Sequence, residues 1–209
     1  MTPPDLVVIT DDAFSDDAIE RGATNILAAV PAGSTALQLR DRRRTARALL
    51  SLADRLRSLC TRYGAPLLVN DRIDIARAVR ADGVHLGGRS VDITDARRFL
   101  GHGAFLSMAA HELADIEAAA RGGATAALIA PIYATPGKGA PRGPQFLTEA
   151  RARAADVLLY ALGGVDAARA TECTGAGAFG VAAIRSVWAD PGGVAAACAM
   201  VAAVRASRR

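Results

Sequence analysis

The sequence predicts an α/β fold, a single (β/α)8 barrel domain spanning residues 1–209. Short apolar runs recur eight times along the chain, and a segment of helical composition and period follows each one. The runs are apolar nearly throughout, without polar alternation, as strands of a parallel sheet read when both faces are covered. A doubly wound open sheet gives the same alternation and is the competing architecture.

The first strand is LVVIT (6–10), and its helix follows over 17–30. TALQLR (35–40) predicts the second strand, with a helix over 43–63. Gln38, Arg40 and Arg42 alternate here, so on an extended strand they share one face, which in a barrel can open into the mouth. An inward charge is costly without a counter-charge, and an anionic ligand supplies one. Arg42 has a second use, as the start of a solvated helix face with Arg43 and Arg44. PLLVND (66–71) predicts the third strand and leads into a helix over 73–81. It leaves Asn70 and Asp71 where the strand stops, and Asp71 can serve either as an oxygen ligand for Mg2+ or as a helix cap.

GVHLG (83–87) and a helix over 93–100 form the fourth unit, with His85 inside the strand as a core or mouth residue. AFLSM (104–108) and a helix over 112–121 form the fifth. His111 follows it and fits either the mouth or the helix start, whereas His102 reads as a surface loop residue. AALIAPI (126–132) runs into the glycine- and proline-rich loop YATPGKGAPRGP, which carries Thr135 and Lys138 before a helix over 145–154. Lys138 is the one lysine beside 24 arginines. A compact, mobile ammonium at such a loop suits neutralising a departing phosphate, with an incidental surface position as the plain alternative. DVLLYALGG (156–164) ends in Gly163 and Gly164, where backbone N–H groups can grip a phosphate, and a helix over 165–174 follows. GAFGVAAI (177–184) brings the small residues around Ala183 and Ile184 to the same rim before a last helix over 191–207. GAGAFG (175–180) matches the G-x-G-x-x-G dinucleotide fingerprint only in letters, because the helix precedes it and the strand follows, the reverse of the order that presents free N–H groups.

Composition narrows the function classes. A hydrophobic fraction of 51% and a charged fraction of 22% fit a packed core and argue against disorder. The net charge of +4 comes from scattered arginines, with no stripe for nucleic acid, and it suits either small anionic ligands or an ordinary solvated surface. No run reaches the ~18 apolar residues of a membrane span, and no secretory leader is evident, so the reading is cytoplasmic. Cys60, Cys173 and Cys198 lack metal or redox spacing and read as reduced thiols. No Ser-His-Asp order or metal-ligand cluster is visible. The sequence leaves a homo-oligomer open.

Taken in order, VVITDD, LQLRDR, LLVNDRIDIARAVRADGVHLG, APIYATPGKGAPRG and YALGGVDAARATECTGAGAFGVAAI resemble the motif series of the thiamine phosphate synthase / TenI family of small TIM barrels, over nearly the whole chain. The resemblance implies a transferase that joins hydroxymethylpyrimidine diphosphate to thiazole phosphate and releases pyrophosphate. Pyrophosphate leaves first, and the thiazole nitrogen captures the pyrimidine cation. It further implies that Gln38, Arg40, Asn70 and Lys138 hold the pyrophosphate, with Arg42 where the family usually has lysine. Asp71 would ligate Mg2+, and Thr135, Gly163 and Gly164, with Ala183 and Ile184 beyond, would hold the thiazole phosphate.

The chain departs from that pattern at several places. Ser90 stands where the family's second magnesium carboxylate falls, Ala109 where it has serine, and Gly137 where it has a second threonine, although His111 is kept. Loss of one carboxylate leaves more of the Mg2+ coordination to pyrophosphate. These changes lean toward the metal-free thiazole tautomerase branch, yet that enzyme's histidine is Pro131 here. The synthase reaction is the first reading. A tautomerase using another acid/base such as His111, or a non-catalytic binder of thiamine precursors with a regulatory role, are the alternatives.

Overall fold

The computed structural model describes residues 2–189 and 191–208. Eight parallel strands pair in chain order, and the eighth pairs with the first, which closes the barrel and excludes the open sheet. The strands are β1 (Leu6–Ile9), β2 (Thr35–Leu39), β3 (Leu67–Asn70), β4 (Gly83–Leu86), β5 (Phe105–Ala110), β6 (Ala126–Ile129), β7 (Leu158–Leu162) and β8 (Gly180–Ala183). Around them lie α1 (Asp16–Ala29), α2 (Ala46–Tyr63), α3 (Ile73–Ala78), α4 (Ile93–Leu100), α5 (Leu113–Arg121), α6 (Gln145–Arg153), α7 (Ala167–Gly175), α8 (Arg185–Trp188) and α9 (Gly193–Ala206). The short α8 is absent from the sequence reading, since four residues carry no period to detect.

The core divides by strand face, which explains the runs without alternation. Leu6, Val8, Leu37, Leu39, Leu67 and Val69 point outward and pack under the helices. Val7, Ile9, Ala36, Leu68, Phe105, Ala126, Leu128, Tyr160 and Ala182 fill the barrel itself. Three alanines in that inner set make room for Tyr160, whose hydroxyl donates to the Pro4 carbonyl at 2.7 Å and plugs the lower end. The buried residue on one face and the buried residue on the other therefore alternate along each strand, and both are apolar.

The arginines have structural work that a lysine does poorly. Arg97 donates through one nitrogen to the Gly101, His102 and Ala104 carbonyls, and Arg151 reaches the Ala155 and Val157 carbonyls. Both lie in last turns of helices, where carbonyls lack intrahelical partners and a planar guanidinium can serve several. The chain ends are joined in the same way. Asp5, before β1, receives Arg205 Nε at 2.7 Å and Arg208 Nη1 at 2.5 Å from the far end of α9.

GAGAFG is the α7-to-β8 turn, as its order implies, with Gly175 closing the helix and Gly180 opening the strand. Among the described residues, no helix is long and apolar enough to cross a membrane. All three cysteines are free, and burial pushes the Cys60 thiol up to about 12 and the Cys173 thiol up to about 11.

Candidate active site

The polar residues gather where the strands end. β2 stops at Leu39 because Thr10 takes over the next residue. Its Oγ1 accepts from Arg40 N at 2.9 Å and donates to Arg40 O at 3.0 Å. Arg40 is half-buried, and among the described residues no carboxylate lies within ion-pair distance of it. With Leu39 opposite Val69 in register, Arg40 comes level with Asn70 at the ends of β2 and β3, and Asp71 follows next in the chain.

The alternation drawn across Gln38, Arg40 and Arg42 ends with the strand, and here the structure corrects the sequence. Residues 42–44 form a bend, and α2 begins at Ala46, capped by Thr45. Arg42 swings out, with a side chain 63% exposed and its Nε 3.9 Å from Asp12 Oδ2. Arg44 is the inward one, held by Asp41 and by Asp16. Gln38 lies inside the barrel with no exposure, and among the described residues neither its Oε1 nor its Nε2 has a hydrogen-bond partner. It is therefore below Arg40 and not beside it on the rim.

Asp71 is no helix cap, since the cap of α3 is Arg72. It is exposed and adopts φ 60°, a left-handed conformation that costs a side-chain-bearing residue about 1–3 kcal/mol. What holds it there is a set of four partners. Its N–H donates to the His85 carbonyl at 2.9 Å, Gly87 N–H and the Ser90 hydroxyl donate to Oδ1, and Asn70 Nδ2 donates to Oδ2 at 2.6 Å. Ser90 thus occupies an Asp71 oxygen, and no group of three or more His, Cys, Asp or Glu side chains is placed to hold a metal among the described residues.

Beneath Asn70, His85 pairs through Nδ1 with Ser107 Oγ at 3.0 Å. Burial pulls the imidazole down to about 4. A histidine depressed in the folded state is protonated first in the unfolded one, so stability is complete above the ordinary pKa of about 6.5 and falls as the pH drops from there toward 4. We expect a loss of roughly 3 kcal/mol across that window from this residue. Urea denaturation at pH 7.5 and 4.5 checks it, with His85→Gln expected to flatten the difference.

On the far side, His111 is exposed, and its Nδ1 lies 2.6 Å from the Ala130 carbonyl, which leaves Nε2 as the open nitrogen. It lines a cavity of about 360 Å³ with Pro131, Lys138 and Arg142. Lys138 is exposed, its N–H donates to the Thr135 carbonyl at 3.1 Å, and no carboxylate pairs with it among the described residues. Thr135 Oγ1 donates to the Tyr133 carbonyl at 2.9 Å.

Gly163 and Gly164 follow β7 with φ 97° and 66°. They also need to be small. A Cβ on Gly163 would stand 3.0 Å from Pro131 Cα, and one on Gly164 would stand 2.9 Å from Tyr133 Cβ. Ala183 is buried at the end of β8, and Ile184 turns the chain into α8. The mouth so assembled has Arg40, Asn70 and Asp71 on the β2–β4 side, His111 and Lys138 after β5 and β6, and the glycine pair after β7.

Residues 6–187 match the family described as thiamine monophosphate synthase. The chain belongs to that family. A thiamine-phosphate synthase of Roseiflexus castenholzii is 40% identical over 188 residues, covering 88% of this chain and 81% of that one. A thiamine biosynthesis bifunctional protein ThiM/ThiE of Symbiobacterium thermophilum is 37% identical over 206 residues, 97% of this chain. The chain spans 41% of that protein's length. Among solved structures, a thiamine phosphate pyrophosphorylase from Pyrococcus furiosus superposes with a TM-score of 0.82 at 25% identity, covering 97% of this chain and 96% of that one. The orphaned amide of Gln38 and the Ser90–Asp71 bond are visible only in three dimensions.

Proposed function

We propose that this chain joins hydroxymethylpyrimidine diphosphate to thiazole phosphate, forming thiamine phosphate and pyrophosphate. The observation that carries the reading is that one mouth offers two different anion-receiving places. The β2–β4 side has the uncompensated Arg40 guanidinium beside Asn70 and Asp71, and the β7 side has a glycine pair that exposes backbone. Two phosphorylated substrates held at opposite sides of a barrel mouth meet over its centre.

In this reading the diphosphate lies on Arg40, Asn70 and Lys138, and Thr135, Gly163, Gly164 and the Ala183–Ile184 turn receive the thiazole phosphate. Gln38 has a different part from that expected. Its two unpaired amide atoms offer one donor and one acceptor, the complement of an aminopyrimidine edge. The bond from the pyrimidine methylene carbon to the diphosphate oxygen breaks, and its electron pair leaves with pyrophosphate. The thiazole nitrogen lone pair then forms the carbon–nitrogen bond. Lys138 stabilises the charge gathering on the departing oxygens.

Magnesium fits this arrangement as a cation that arrives with the diphosphate. Mg2+ is held by one or two carboxylates plus phosphate oxygens and keeps several waters, and Asp71 supplies one carboxylate. When bound it supplies charge neutralisation of the leaving group. Ser90, bonded to Asp71 Oδ1, supports a weaker hold on the free ion than a second carboxylate would give.

The test is pyrophosphate release with both substrates, with and without Mg2+. Release that needs both substrates and the metal, and is lost in Asp71→Ala, is the expected result. In the same series Ser90→Asp should bind Mn2+ in the absence of substrate at least tenfold more tightly, read by electron paramagnetic resonance. No release under any metal condition overturns the reading. Metal-free turnover of the thiazole tautomer, lost in His111→Ala, would instead favour isomerase chemistry, for which the open Nε2 of His111 is the base.

A further inference from the structure

The glycine pair after β7 is held from behind. Arg169, in the first turn of α7, donates through Nη1 to the Gly164 carbonyl at 2.6 Å. Its guanidinium carbon also lies 4.6 Å from the centre of the Tyr133 ring. Tyr133 N–H in turn donates to the Gly163 carbonyl at 3.0 Å, and its hydroxyl donates to Glu172 Oε2 at 2.6 Å. Arg169 has no carboxylate within ion-pair distance among the described residues, so its fork is spent on a carbonyl and an aromatic face.

Peptide geometry turns these tethers into a statement about the mouth. In a trans peptide the carbonyl and the following N–H point in opposite directions. Tying back the Gly163 carbonyl aims the Gly164 N–H away from Tyr133, and tying back the Gly164 carbonyl aims the Val165 N–H away from Arg169. Neither N–H has an acceptor among the described residues. Both carbonyls that would repel an anion are withdrawn, and two donors are left free on the other side.

We propose that Arg169 is a positioning residue for phosphate-monoester binding, acting through the Gly164 carbonyl and Tyr133. It does not touch the ligand. Its removal frees the Gly164–Val165 peptide to rotate and turn an oxygen toward the anion. That the phosphate belongs to the thiazole substrate rests on the function proposed above, whereas the tether itself does not.

The experiment titrates inorganic phosphate into protein saturated with magnesium pyrophosphate, using the native chain, Arg169→Leu and Arg169→Lys. Arg169→Leu should weaken phosphate at least tenfold and leave pyrophosphate affinity within twofold. Arg169→Lys, with a single-point donor and no planar stack, should recover part of the loss. With both substrates, KM for thiazole phosphate should rise by a similar factor while kcat holds. Circular dichroism and melting temperature confirm that the variants fold. Unchanged phosphate affinity in Arg169→Leu, or an equal loss of pyrophosphate, overturns the proposal. If phosphate behaves as expected but thiazole phosphate is not a substrate, the tether stands and the thiamine reading falls.

Discussion

Gln38→Leu should make the protein more stable and less active at once. The amide is wholly buried with both polar atoms unpaired among the described residues, and an orphaned amide costs about 1–3 kcal/mol that an apolar side chain of similar volume does not. Removing it is therefore expected to stabilise the ligand-free protein by about 1–3 kcal/mol, seen as a higher denaturant midpoint. The same change deletes the hydrogen bonds offered to the pyrimidine edge, so kcat/KM should fall roughly tenfold to a hundredfold. A destabilised Gln38→Leu protein would show that the amide is not orphaned, and a native kcat/KM would show that it is not used. The opposite signs are what distinguish a binding group from a packing group.

Lys138→Ala should lower kcat about 100- to 1000-fold, the usual cost of removing one group that meets developing charge. KM for thiazole phosphate should barely move, because that substrate is held on the β7 side. Stability should stay within about 0.5 kcal/mol, since Lys138 is exposed and pairs with no carboxylate among the described residues. Lys138→Arg should recover only part of the rate, as the guanidinium is bulkier and less mobile. Single-turnover rapid quench checks the chemical step. A kcat within threefold of native would return Lys138 to the status of a surface residue.

The alternation of strands and helices was legible because a parallel sheet covered on both faces imposes apolar runs whichever way a side chain points, whereas closure over an open sheet was decided by the pairing of β8 with β1. The placement of Asn70, Asp71 and the glycine pair at strand ends, and of Thr135 in the loop after β6, followed from the same logic. The burial of Gln38 did not follow, although its spacing from Ala36 marks the inner face, because the narrowness of the interior depends on seven other strands. The inward alternation stopped short of Arg42, for which a solvated face was the other reading, because β2 ends where a threonine just past β1 intervenes, a contact 30 residues away in sequence. The Ser90–Asp71 bond, 19 residues apart, and the stacking of Arg169 on Tyr133 are likewise long-range. Arg169 left one faint signal, five residues after Gly164 at a helix start.

The clasp of Asp5 by Arg205 and Arg208 has an architectural consequence. It staples the segment before β1 to the end of α9 at the pole away from Arg40 and Asn70, so the seam where β8 meets β1 is fastened without drawing on any group of the opposite rim.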